Sequence, residues 1–271
     1  MQGGFARTAC FFAVAALLVA LAPAAQANDA PPCRQRAELL RLAHPLTHVA
    51  KKLSAGKPIT VVAIGSSSTQ GAGASSPGAS YPSRLAEELG RQFPGNSFKM
   101  INRGVGGEEI ADMLKRFDSA VVAAKPDLVL WQLGTNSVIR DHMIDDHGRA
   151  IRVGIEKIRA TGADIVLIDP QFAPKVIVKT EAQRMVDLIS ATAKQENVDL
   201  FRRFDVMKSW YEEDKLPFEA FVHPDGLHLN DWSYACMAKG LGVAIAEAIK
   251  RPVISATAMP AAAGSLPHHD W

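Results

Sequence analysis

The chain has only three cysteines in 271 residues, and none falls in a metal-ligand spacing, which excludes a cysteine-held metal centre. Charge of one sign is also scarce: 30 lysines and arginines face 28 aspartates and glutamates. No run reaches five like charges, so neither a basic nucleic-acid field nor an electrostatic tail is expected. Long apolar runs are missing too. The longest stretch of that kind, Ala9 to Leu21, is too short for a comfortable membrane span. The glycine-rich segment 102–107 lacks the dinucleotide fingerprint's spacing, and no Lys-Ser or Lys-Thr follows it, so a phosphate cradle is not expected there. With 48% hydrophobic and 21% charged residues, the composition is that of an ordinary globular protein able to bury one sizeable core.

The N-terminus reads as a leader. Arg7 is a lone positive charge, the apolar run follows, and Ala25-Gln26-Ala27 fits a small-x-small cleavage site. The expected division is a signal peptide over 1–27, a single domain over 28–251 and a disordered tail over 252–271, with an uncleaved anchor as the alternative. No cysteine follows the cleavage position, so a lipoprotein is not expected. The protein is then exported, periplasmic or secreted, with no membrane span after cleavage. Cys10 leaves with the leader. Cys33 and Cys236 remain as a pair in an oxidising setting, and a disulfide between them is expected, with two separate thiols as the alternative. The tail ends in His268-His269-Asp270, three residues at a free end that make no metal site.

Between these ends, strand and helix patterns alternate about five times. Ile59 to Ile64, Phe98 to Ile101, Asp127 to Trp131, Asp164 to Ile168 and Val198 to Phe201 are short apolar or β-branched runs. Helical periodicity is predicted over 34–53, where Pro45 can break it, and over 81–93, 108–124, 149–160, 180–196, 204–213 and 231–250. This alternation predicts an α/β protein, a three-layer α/β/α sandwich around a mostly parallel five-stranded sheet.

In such sheets ligands bind at the carboxyl ends of the strands. Small and polar residues gather there: Gly65-Ser66-Ser67-Ser68-Thr69, then Asn102-Arg103-Gly104-Val105-Gly106-Gly107, then Gly134-Thr135-Asn136. His223-Pro224-Asp225-Gly226-Leu227-His228 precedes the last helix. Taken singly, each reads as a helix cap, a tight turn or a structural histidine. Taken in order, the four clusters resemble the four sequence blocks of the SGNH (GDSL-like) hydrolase superfamily over about residues 58–248. Ser66 stands where that family commonly has Asp. The resemblance implies the flavodoxin-like SGNH fold. It also implies Ser67 as nucleophile, Asp225 and His228 as acid and base, and an oxyanion hole built from the N–H of Ser67, the N–H of Gly107 and the amide of Asn136. Ser66 or Ser68 by a one-residue slip, and His223 as base, are the competing assignments. An ordinary α/β-hydrolase fold is disfavoured because Thr69 stands where that motif has glycine.

A serine hydroxyl needs a base within hydrogen-bond reach, and an imidazole oriented by a carboxylate supplies one. The expected activity is hydrolysis of carboxylic esters through an acyl-enzyme, with no metal or organic cofactor implied. Small-molecule or glycan esters are the expected partners, with no nucleic acid. Short acyl groups are expected because no long apolar lid is visible. Arg140, Gln171 and Lys175, in the loops after two strands, are candidate substrate contacts, with solvated loop residues as the alternative. A polysaccharide O-acyltransferase using the same triad and a non-catalytic carbohydrate-binding module are the alternatives. The leader reading has a direct check: N-terminal sequencing of the exported protein should begin at Asn28, whereas an intact Met1 in a membrane fraction would refute cleavage.

Overall fold

Five strands are laid down in the order β2-β1-β3-β4-β5, all parallel, in a computed structural model that describes residues 30–252 together with Met1, Gly3 and Gly4. The rest of the leader expected over 1–27, and the expected tail from 253 onward, lie outside the described residues. Chain contacts divide at Ala30, and the unit from Pro31 onward holds the whole sheet. The strands are β1 (Ile59–Gly65), β2 (Phe98–Gly104), β3 (Leu128–Gln132), β4 (Asp164–Ile168) and β5 (Asp199–Phe201). Residues of β1 and β3 are buried along almost their whole length, as central strands covered on both faces must be. This is a three-layer α/β/α sandwich of the SGNH hydrolase fold. The order reverses at β1, which sends β2 to one side and β3 to the other, and a crevice opens at such a switch point.

The helical layers are amphipathic by sequence. On one face Tyr81–Gln92 packs along Asp231–Lys250; on the other Ile110–Lys115, His147–Arg159 and Glu181–Gln195 pack together. His147–Arg159 buries Ile151, Gly154, Ile155 and Ile158, a helical stripe of period near 3.6. Gly154 is required there. A Cβ would collide with the indole of Trp131, which is fully buried and meets Phe117 edge-on at 5.0 Å between centroids. Among the described residues no helix is long and apolar enough to cross a membrane.

The helix expected over 34–53 is broken in two, Ala37–Leu40 and Thr47–Ser54. Pro45 is one cause; the other is capping from the far end of the sheet. The Asp199 carboxylate accepts the His44 N–H at 2.8 Å, and Asp164 accepts the N–H groups of His48 and Val49 at 3.4 and 3.0 Å. Asp127 accepts Lys52 Nζ at 2.6 Å, His48 Nε2 at 2.9 Å and the Thr60 N–H at 2.7 Å. Of these three carboxylates at the amino ends of β3, β4 and β5, Asp164 satisfies orphan donors of the second helix start, while Asp199 holds the loop before it and Asp127 ties its side chains to β1. The stretch 108–124 likewise divides into Ile110–Lys115, Phe117–Ala120 and the 3₁₀ turn Val122–Ala124. β2 runs three residues further than its apolar pattern, to Gly104, because the hydrogen-bonded ladder with β1 continues through Gly65.

Cys33 and Cys236 are bonded, with Cα atoms 5.5 Å apart across 203 residues. The bond joins the segment before Ala37–Leu40 to the long closing helix. Thiol counting on denatured, unreduced protein should therefore find neither Cys33 nor Cys236 free. Replacing both by serine should lower the unfolding free energy by about 2–4 kcal/mol, read from the urea midpoint.

Candidate active site

Ser67 opens a single helical turn, Ser67–Gln70, directly after β1. The turn is pinned from beneath by the neighbouring strand. Gln132, the last residue of β3, is buried, and its Oε1 accepts the Ser66 N–H at 2.9 Å, the Ser66 hydroxyl at 3.0 Å and the Thr69 hydroxyl at 3.3 Å. Ser66 and Ser68 are both buried, with only 2% and 1% of their surface exposed, whereas Ser67 reaches the surface. Tyr81 lies below Thr69, its hydroxyl 3.3 Å from the Thr69 Oγ1, and burial pushes its phenol up to about 12. Ser66, at the position where the resemblance expects Asp, is thus held by a glutamine of the adjacent strand.

His228 stands over Ser67, with Nε2 2.8 Å from the serine Oγ. Its other nitrogen, Nδ1, is 2.6 Å from Asp225 Oδ2. The remaining oxygen, Asp225 Oδ1, accepts the backbone N–H groups of Leu227 and His228, both at 2.9 Å. Partial burial alone would raise this carboxyl, but the His228 ring bond and the two backbone donors outweigh it and hold Asp225 well below the usual carboxylate range. Because the folded value is depressed, the stability from these bonds is present above the unfolded value near pH ~4 and is lost only as acid reaches the folded one. His223 takes a flanking place: its Nδ1 lies 3.4 Å from Asp225 Oδ2, and its backbone N–H donates to the His228 carbonyl at 2.8 Å. Gly73, at φ +85°, allows this loop to close, since a Cβ there would collide with the Leu229 carbonyl and with Cβ of His228.

The loop after β2 abuts the serine from the other side: a Cβ built on Gly106 would lie 3.9 Å from Cβ of Ser67. Gly107 follows in the left-handed region at φ +79°. Asn136, in the turn Thr135–Ile139 after β3, is buried and donates one amide N–H to the Glu108 carbonyl at 2.7 Å. Its second amide hydrogen and the N–H groups of Ser67 and Gly107 have no protein acceptor among the described residues. Serine, histidine, aspartate and three donors therefore gather at the β1 switch point. Such a constellation can deprotonate a hydroxyl, let it attack a carbonyl and receive the charge that develops on the oxygen.

The three candidate substrate contacts separate. Arg140 lies on the rim with its guanidinium against Gly107, Nη2 being 3.3 Å from a Cβ built there. Lys175 is exposed, and its backbone N–H donates to the Gly226 carbonyl at 3.0 Å. Gln171 departs from the expectation: it is fully buried and faces neither solvent nor ligand. Its Oε1 accepts the Thr135 hydroxyl at 2.9 Å and its Nε2 donates to the Leu227 carbonyl at 3.2 Å, so it is a strut between the Asn136 turn and the histidine loop. Gln132 had not been singled out at all. Its signal in the sequence is a lone amide inside the apolar stretch Leu128–Leu133, which a covered strand tolerates only with partners. Among the described residues no cluster of three or more His, Cys, Asp or Glu side chains is arranged to hold a metal ion.

The chain has the fold of the SGNH hydrolases. More narrowly, the chain belongs to the non-GDSL lipase-like family, whose model matches residues 32–251. Among solved structures it is similar to a two-domain esterase active on acetylated mannans, at 19% identity and a TM-score of 0.65, over 80% of this chain but 58% of that one. It is also similar to a variant of Axe2, an acetylxylan esterase from Geobacillus stearothermophilus, at 18% identity and a TM-score of 0.60, over 69% of this chain and 94% of that one. A lipolytic protein of the G-D-S-L family from Desulfitobacterium hafniense matches at 20% identity and a TM-score of 0.59, over 69% and 99% of the two chains. No curated protein sequence matches. The strut assigned to Gln171 has a stability signature. Gln171→Leu should leave the buried Thr135 hydroxyl and Leu227 carbonyl unpaired and lower the unfolding free energy by about 1–3 kcal/mol, measured by urea denaturation; an unchanged midpoint would refute the strut.

Proposed function

We propose that the protein is an exported esterase that cleaves short acyl groups, chiefly O-acetyl, from glycan or small-molecule alcohols through an acyl-enzyme. The observation that carries this reading is the unbroken chain Asp225–His228–Ser67, with contacts of 2.6 and 2.8 Å. His228 Nε2 takes the hydroxyl proton as Ser67 Oγ bonds to the ester carbonyl carbon. Asp225 holds the ring in the tautomer that leaves Nε2 free to accept, and it stabilises the imidazolium that forms. The oxyanion is met by the N–H groups of Ser67 and Gly107 and by the free amide hydrogen of Asn136, each such donor contributing ~10²–10³ in rate. Collapse breaks the carbon–oxygen bond to the alcohol, which leaves with the proton from His228. Water then attacks the acyl-serine with His228 as base, and carboxylate departs as the serine regains its proton.

The leader over 1–27 supports export. The relatives on the same fold that are named for acetylated mannans and acetylxylan support an O-acetyl glycan ester as the substrate class. An ester panel from acetate to long-chain lipids tests the acyl preference, and acetate esters should be fastest. Ser67→Ala should reduce hydrolysis by roughly 10⁴-fold or more without loss of folding, because the covalent step has no substitute. Ser66→Ala and Ser68→Ala serve as controls, and Asp225→Ala should cost less than His228→Ala because it does not carry the proton. Initial rates on a chromogenic acetate ester, with circular dichroism of each variant, decide it: a folded Ser67→Ala enzyme at near-wild-type rate would end the assignment.

A further inference from the structure

The two loop donors of the oxyanion site come from different strand ends, Gly107 after β2 and Asn136 after β3. Donors of this kind work only if held within about 0.5 Å of their productive geometry, so something must fix one loop to the other. Taking Ser67, Gly107 and Asn136 in the roles proposed above, we propose that Glu109 is the positioning residue that locks the oxyanion hole together.

The connection runs through two consecutive residues. The Glu108 carbonyl takes one amide hydrogen of Asn136 at 2.7 Å, which orients the carboxamide and leaves the other hydrogen free. The Glu109 carboxylate then grips the residues that follow Asn136. Its Oε2 accepts the Ser137 hydroxyl at 2.9 Å and faces His142 Nδ1 at 3.1 Å, and its Oε1 accepts Arg140 Nη1 at 2.7 Å. Ser137 has a single hydrogen to give. With that hydrogen on Glu109, its oxygen accepts from His147 Nε2 at 2.7 Å, which assigns the proton of the His147 ring to Nε2. Burial holds His147 below the ordinary histidine value, in keeping with a neutral ring in that place.

Arg140 closes the circuit. One end of its guanidinium is bound to Glu109 and the other lies against Gly107, where even a methyl group would come within 3.3 Å of Nη2. Glu109 therefore acts on both loop donors, through Ser137 on the Asn136 side and through Arg140 on the Gly107 side. Its side chain is only 16% exposed, a position where a carboxylate must be fully partnered. Burial pushes its carboxyl up, but the bonds from Arg140, His142 and Ser137 outweigh that and keep it below the ordinary glutamate value. Glu109 also begins the helix Ile110–Lys115 as its cap. Capping alone would give it a place in stability and none in the rate of acyl transfer.

The two roles separate by kinetics. Glu109→Gln keeps the shape and removes the charge. On the chromogenic acetate ester it should lower kcat by about 10–100-fold with KM changed by less than about threefold, because an oxyanion donor acts in the transition state. Phosphonylation of Ser67 by a fluorophosphonate should slow in parallel. In an Asn136→Ala background the same substitution should cost at least about threefold less than in the wild type, since one of the two donors it positions is gone. Ser137→Ala, a smaller lesion, should show a weaker loss with the same dependence on Asn136, and it keeps the test open should Glu109→Gln fold poorly. Glu109→Gln at wild-type kcat, or a full loss that persists without Asn136, would overturn the positioning role. An active wild type that dies with Ser67→Ala leaves the esterase reading intact in either case. A wild type with neither turnover nor labelling would sink both.

Discussion

The Asp225 carboxylate is the group around which the site is organised. With one oxygen it accepts the N–H groups of Leu227 and His228, and these two bonds fold Pro224–His228 into a tight turn. With the other it takes the His228 ring. The same three bonds shape the loop, aim the base and keep the carboxyl ionised. Loop shape and acid–base chemistry therefore cannot be separated: a protonated Asp225 would lose the ring bond and the turn together. Gln171 and Gly73 extend this dependence outward. The glutamine ties Leu227 to the Asn136 turn, and the absent side chain at Gly73 leaves room for the histidine.

Much of this was legible before any coordinates. Asp164–Ile168 and Asp231–Lys250 have the bounds their residue patterns predict. The parallel alternation followed from apolar runs too short to be helices and spaced too far apart for hairpins. Ser67, Asp225 and His228 could be singled out because four polar clusters at strand ends, taken in order, resemble the sequence blocks of the SGNH superfamily. What escaped did so because its meaning lies in a partner distant in sequence. The break at Pro45 is completed by Asp164, which caps the second helix, and by Asp199, which holds His44 before it; both lie more than a hundred residues away, and no local pattern announces those bonds. Gln171 looked like a solvated loop residue because nothing near it in the chain shows that β4 leads it beneath the histidine loop. Glu109 sat inside the helix predicted over 108–124 and was not singled out; only the fold brings it against Ser137 and Arg140.

The substitution at Ser66 is of the same kind. An aspartate at that place would bring its own charge to the nucleophile turn. Here a neutral hydroxyl meets the Gln132 carbonyl oxygen, and Tyr81 and Thr69 complete a layer of uncharged polar groups under Ser67. The groups that bond this turn directly are thus neutral, and the carboxylate nearest the Ser67 hydroxyl is Asp225, reached through His228.

The sheet also has two chemically distinct ends. At the amino ends of β3, β4 and β5, Asp127, Asp164 and Asp199 bind backbone and helix and touch nothing of the reaction. At the carboxyl ends lie the serine, the donors and the base. Between them β1, β3 and β4 are almost entirely apolar and buried. Heritable change at one end is thereby insulated from the other. The exposed residues Met143 and Asp145 can change while the carboxylate pins keep the sheet standing. A lineage built on this plan can vary its rim without first becoming more stable.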